Sequence, residues 1–367
     1  KLMIFSSGST GQAFLQNNTV SGGMVVNPSL ILPASLKEEV LKTIGPPPPS
    51  GKPNAAQHEW AANALIHYGL GANAPLVSAI WFSDPDGAAH SEGIGSPTAI
   101  TSIKTVDAQF GRIIKNLEDR GMLDAYNIIV SADHGFVTDI GKQGLADFLI
   151  KEGLKEDKGS EDVVVAGGAI YVRNHDEGKV RKIVTALQAQ EWVGAIFTKA
   201  ANQDRLKGWV EGTLSFETIH WNHPERAADI LVDYNWNDSK NQYGYAGASF
   251  SRGVAGHGGA SPYEIHIPLI AFGPSFRKTY ESSVPTSNVD IVPTILKIHG
   301  IKVPEQMDGR VMSELLVDGK SPGDEIKKET IETSAKFGSG VYHLTVERSV
   351  FGKYRYVDEA TVTRAEH

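Results

Sequence analysis

The chain has 367 residues, 41% hydrophobic and 21% charged, enough for one large α/β domain or a domain with a cap. A formal charge of −8 and a pI near 5.9 argue against nucleic acid as the main partner, since that needs a basic face. With no cysteine there are no disulfides, thiolate metal sites or thiol nucleophiles, which suits a periplasmic or secreted protein, and no apolar run is long enough to span a membrane.

In chain order, "KLMIFSS" and "GGMVVN" read as strands. "SLKEEVLKTIG" (35–45) reads as a helix stopped by Pro46–Pro49. Residues 53–70 have helical spacing, with Trp60, Leu65 and Leu70 inward. The strand "LVSAIWFS" (76–83) follows, then a long helix from Pro97 to Arg120 with Ser96 as N-cap, then the strand "NIIVSAD" (127–133). Nearly continuous apolar strands alternating with helices predict an α/β fold: a mainly parallel sheet with helices on both faces. Residues 162–236 break the alternation. They hold four short strand-like runs, "GTLSFETIH" (212–220) among them, and one helix (175–190). This predicts a smaller α+β cap over 162–256 and a catalytic core of 1–161 with 257–367. The parallel core is expected to resume at "IPLIAFGP" (267–274) and the helix 288–300. The tail from 340 alternates like an antiparallel sheet.

Ligands of a parallel sheet bind beyond the carboxyl ends of its strands. Asp86 and His90 follow the strand 76–83 at a spacing that puts both on one helical face. Asp133 and His134 close the strand 127–133, and His257 lies in the glycine-flanked loop "AGHGGA" (255–260). Carboxylates and imidazoles without thiolates suit zinc in an open catalytic site, with manganese or iron as alternatives. Five ligands exceed the needs of one tetrahedral ion, so two ions are expected. Taken alone, each motif also has a structural explanation: a helix cap, a core histidine, a flexible turn.

"PDGAAH", "SADHG", "GHGG", "NVDIVPTIL" and "MDGR" (307–310), in this order, resemble the alkaline phosphatase superfamily. The branch they are most similar to is the type I phosphodiesterase/nucleotide pyrophosphatase family. The resemblance implies that Asp86, His90 and His257 hold one zinc, and that Asp133 and His134 hold the second. It also implies hydrolysis of phosphodiesters or nucleotide pyrophosphates through a Ser or Thr nucleophile, with a small phosphate ester, such as a nucleotide, as substrate. Phosphomonoesterase or metal-dependent mutase activity, or a non-catalytic metal-binding fragment, are the alternatives. The family's nucleophile and an early Asp ligand precede a region like "KLMIFSSGSTGQAF", which here starts at residue 1. The nucleophile is therefore expected upstream, with the missing N-terminal segment as a companion. Ser6, Ser7, Ser9 and Thr10 are the substitutes within the chain, Ser9 and Thr10 also suiting a helix cap. His58 and His67 read as structural, Asp84 as a loop residue or an outer support of the metal ligands, and His220 and His223 as cap surface, with a substrate-pocket lining as the alternative. The sequons at Asn17 and Asn237 are of the kind that arise by chance.

Overall fold

The computed structural model describes residues 1–320, 323 and 325–366. The chain folds as two compact units, Lys1–Tyr126 with Gln242–Tyr245, and Asn127–Asn241 with Ala246–His367.

The first unit contains β1 (Leu2–Ser6), α1 (Thr10–Gln16), β2 (Met24–Asn27), β3 (Leu30–Leu32), α2 (Lys37–Ile44), α3 (Ala55–Ala64), β4 (Val77–Trp81), α4 (Asp86–Glu92) and α5 (Pro97–Asp119). Its sheet has the order β3-β2-β1-β4; β1 runs parallel to both β2 and β4, and β3 closes the edge antiparallel to β2. Successive strand residues face opposite ways. Ile4 clusters with Ala13 of α1 and Val25, while the ring of Phe5 lies against Gly69 in the turn that continues α3. Both faces of β1 are thus covered, which is why its sequence is apolar without alternation. Three fully buried alanines, Ala61, Ala62 and Ala64, line α3. Trp60, Leu65 and Leu70 are buried as their spacing predicts. Ser96 caps α5 by accepting from the Ala99 N–H, with Pro97 in the first turn.

The second unit begins with β5 (Ile128–Ser131), β6 (Val137–Asp139), α6 (Leu145–Lys151), β7 (Val163–Ala166), β8 (Ala169–Val172), α7 (Glu177–Gln188), β9 (Val193–Thr198), β10 (Leu214–Ser215) and β11 (Ile230–Tyr234). It continues with β12 (Trp236–Lys240), β13 (Ala246–Ser249), β14 (Ala255–Gly256), α8 (Pro262–Ile265), β15 (Leu269–Phe272), α9 (Ile291–Ile298), β16 (Ile326–Phe337), β17 (Gly340–Phe351) and β18 (Tyr354–Glu366). A five-stranded sheet, β10-β9-β11-β8-β7, forms the centre. The apolar stripe of α7 (Val180, Ile183, Val184, Leu187) shares one core with β9 and with Tyr342, Leu344 and Val346 of the C-terminal sheet. That sheet, β16-β17-β18, is antiparallel throughout; the alternation from residue 340 predicts β17 and β18, and β16 joins them from before the alternating tail.

Two local readings change. β15 runs antiparallel to β5 rather than resuming a parallel core; an apolar run shows that both faces are buried, but carries no direction. "GTLSFETIH" pairs over only Leu214–Ser215 and then turns as a short 3-10 segment, Phe216–Ile219. There His220 takes a left-handed backbone and faces the carbonyl of Arg355, a tie to the C-terminal sheet.

Candidate metal centre

In the first unit, β1 and β4 end in register, Ser6 opposite Trp81. The chain leaves β4 through Ser83, Asp84 and Pro85 into the seven-residue α4. Asp86 opens that helix and His90 lies one turn on, and their Oδ1 and Nε2 atoms are 3.3 Å apart. Metal–ligand bonds of ~2.0–2.1 Å at a tetrahedral ion place two ligand atoms about 3.3 Å apart. The pair therefore has the span of one chelating edge, and both side chains are open to solvent, at 45% and 43% exposure.

Beneath α4 lies a network that sequence reasoning missed. Ser7, His58 and Asp84 are 4%, 0% and 7% exposed. His58 Nε2 donates to Asp84 Oδ2 at 3.0 Å, and His58 Nδ1 accepts from the Ser7 hydroxyl at 2.8 Å. Ser7 Oγ in turn accepts the Ser83 N–H at 3.1 Å, and Asp84 Oδ2 accepts the Asn54 N–H at 2.7 Å. Burial alone would raise the pKa of Asp84. Hydrogen bonds from His58 and from the backbone of Asn54 and Ala88 outweigh it and hold the carboxyl below its usual range. His58 is buried in the fold; its acid partner lies 26 residues away, and no local spacing signals the pair.

In the second unit, Asp133 and His134 follow β5, again with ligand atoms 3.3 Å apart, Oδ2 to Nε2. His134 Nδ1 faces the Gly135 carbonyl at 2.9 Å and so carries the proton, which makes Nε2, on the Asp133 side, the nitrogen that would ligate. The His257 ring stacks on His134 with centroids 3.4 Å apart, and Phe136 meets His257 edge-on at 5.2 Å. The loop after His257 is clamped by two carboxylates. Gly259 N–H donates to Glu264 Oε1 at 2.8 Å, and Ala260 N–H to Asp233 Oδ2 at 2.7 Å. Desolvation, then the charge of Glu264, push the Asp233 carboxyl up to about 7. Ser261-Pro262-Tyr263-Glu264 has the Ser-x-x-Glu form of a helix start, a local signal that could have marked Glu264. Asp233 has no such signal.

The other candidates fall out of the site. Ser6 is buried and bonded to Gln12, Ser7 belongs to the relay, and Ser9 caps α1 through the Gln12 N–H. His223 Nδ1 accepts from the backbone N–H groups of Glu225 and Arg226. Asn17 is buried and donates to the Leu2 carbonyl, so its sequon cannot carry a glycan in this fold.

The chain has an alkaline-phosphatase-like α/β fold. It matches wild-type alkaline phosphatase PafA with a TM-score of 0.52 at 14% identity, over 72% of this chain and 52% of that one. Murine ectonucleotide pyrophosphatase/phosphodiesterase 5 matches with a TM-score of 0.51 at 19% identity, over 71% of this chain and 64% of that one. The pattern of the type I phosphodiesterase / nucleotide pyrophosphatase family matches residues 35–245, more than half of the sequence, and the chain belongs to that family. The bis(5'-adenosyl)-triphosphatase enpp4 of Mus musculus is 25% identical over 252 residues, 67% of this chain and 49% of the relative. The chain thus spans about half the length of that curated relative.

Proposed function

We propose that this chain carries the metal-ligand part of a phosphodiester or nucleotide pyrophosphate hydrolase with a two-zinc centre. In this reading Asp86, His90 and His257 hold one ion, and Asp133 and His134 belong to the other. The observation that carries it is the pair of 3.3 Å carboxylate–imidazole edges, one on α4 and one after β5, each with the span a tetrahedral ion requires. Membership of the family and the motif order support the same assignment. Bound divalent ions would neutralise charge on the phosphate oxygens, the main requirement of phosphoryl transfer. The chain's own contribution is positional. Gly135 fixes the His134 tautomer, Phe136 and His134 pack the His257 ring, and α4 presents Asp86 and His90 together.

The nucleophile is placed outside these 367 residues, on a companion N-terminal segment. The observation that supports this is that Ser6 and Ser7 are buried and bonded to Gln12 and His58, while Ser9 caps α1. A nucleotide substrate is supported by the name of that relative, a bis(5'-adenosyl)-triphosphatase. The region 162–256 is proposed as the accessory segment that selects the leaving group. A periplasmic or extracellular location is supported by the lack of cysteine; among the described residues no helix is long and apolar enough to cross a membrane.

The test is zinc content and turnover. The 367 residues should bind about two zinc ions and leave a chromogenic phosphodiester uncleaved. Adding the companion segment should yield turnover of the diester in preference to the matching monoester. His257→Ala and Asp133→Ala should each weaken zinc by more than the ~100-fold that loss of an outer partner costs. Unchanged zinc content in both variants overturns the ligand assignment. Rapid diester turnover by the 367 residues alone overturns the placement of the nucleophile.

A further inference from the structure

α4 has little of its own to hold it in place. It is seven residues long, its N-cap is Pro85 with no side-chain capping bond, and isolated helices of this length are not stable in water. What fixes its first turn comes from outside the helix. The Asp84 carboxylate accepts from the Ala88 N–H inside α4, from the Asn54 N–H at the start of α3, and from the His58 ring within α3. His58 is itself held by Ser7 at the end of β1, whose hydroxyl accepts the Ser83 N–H beyond β4. The Asn54 side chain adds a further bond to the Ser83 hydroxyl at 3.2 Å.

We infer that Ser7, His58 and Asp84 are positioning residues for the Asp86–His90 half of the metal centre: a buried hydrogen-bonded relay that sets where α4, and therefore its carboxylate–imidazole edge, stands. The inference rests on the metal reading above and adds to it the residues that impose the 3.3 Å edge. The order Ser, His, Asp invites a different reading, that of a nucleophilic triad. The geometry argues against it. Ser7 is 4% exposed, and its oxygen already engages His58 and the Ser83 N–H, so no substrate carbonyl or phosphate reaches it. The relay instead reaches outward to backbone N–H groups at the entry to α3 and α4, those of Asn54, Ser83 and Ala88. A side chain needed only to fill the core would not require three donors to converge on one carboxylate two residues before a ligand. Burying that carboxylate is costly without such partners, so the arrangement persists only where all of them are in place.

Zinc itself is the probe, with affinity measured on the whole 367-residue chain by competition with a chromophoric chelator. Cobalt(II) absorption reports the coordination of the same site. His58→Ala and Asp84→Ala should lower zinc affinity by about 10- to 100-fold, the range found for outer partners of metal ligands, and alter the cobalt spectrum. His58→Gln, whose amide can still donate to Asp84, should recover most of the loss. Leu117→Ala, in the core side of α5 and 1% exposed, is the control: it should lower the melting temperature and leave affinity unchanged. Should His58→Ala fail to fold, Ser7→Ala keeps the His58–Asp84 bond and removes the ties of Ser7 to His58 and Ser83, and a smaller loss of affinity is expected. If the relay variants melt earlier but bind zinc like the parent, the positioning role is overturned and these residues are structural. Asp86→Ala and His90→Ala separate that outcome from a deeper failure. Unchanged zinc binding in those two as well means that α4 holds no metal, and the underlying reading falls with the inference.

Discussion

The two units support their candidate ligands by electrostatically opposite means. In the first, one buried carboxylate, Asp84, receives an imidazole donor and backbone N–H groups and is held below the usual carboxyl range. In the second, two carboxylates, Asp233 and Glu264, converge on the backbone after His257, and desolvation, with the charge of Glu264 added, pushes Asp233 up to about 7. Both devices tie down the main chain beside a candidate ligand. A carboxylate that gathers several donors can stay ionised when buried, whereas two carboxylates converging on one loop repel each other and one is driven toward the neutral form.

The largest effect expected from breaking this contrast is at Gly259. A Cβ there would lie 2.7 Å from Asp233 Oδ1 and 2.9 Å from Glu264 Oε2, inside the clamp. Gly259→Ala should destabilise the second unit by about 1–3 kcal/mol, the usual cost of overpacking. It should weaken zinc at the ion assigned to Asp86, His90 and His257 and alter the cobalt(II) spectrum of that site. A variant that melts and binds zinc like the parent would remove the clamp from the account.

A smaller effect, of opposite sign in the two units, is expected from pH. The lowered pKa of Asp84 contributes stability that is present above the ordinary carboxyl pKa of about 3.9 and is lost as pH falls through its own value. The raised pKa of Asp233 contributes stability that is complete below about 3.9 and is lost as pH rises through about 7. Hydrogen exchange read segment by segment should therefore show α4 loosening in acid and the 257–261 loop loosening toward pH 8. Asp233→Asn should flatten the second trend and spare the first. Parallel pH curves for the parent and Asp233→Asn would sink the assignment.

The smallest effect is expected at Ser9, whose hydroxyl accepts from the Gln12 N–H at 3.2 Å. Ser9→Ala should cost about 0.5–1 kcal/mol of stability, the lower end for loss of an N-cap, with zinc affinity unaltered and the turnover of the reconstituted enzyme retained. Loss of turnover at unchanged stability would return Ser9 to the list of nucleophiles.

The sequence alone determined what depends on neighbours along the chain. Alternation marked β17 and β18, helical spacing buried Trp60, Leu65 and Leu70, and Ser96-Pro97 marked the start of α5. The i, i+4 spacing of Asp86 and His90 was enough to put their ligand atoms on one edge, because a helical turn carries that information in four residues. Tertiary structure alone decided the rest: the antiparallel direction of β15 against β5, the His58–Asp84 bond, the stacking of His134 on His257, and the meeting of Asp233 with Glu264. These partners are far apart in the sequence, and their pairing follows from which loops close and which faces pack. Propensity and periodicity describe a residue's own element, and whether a buried carboxylate finds an imidazole or a second carboxylate is settled only when separate elements share one dry environment.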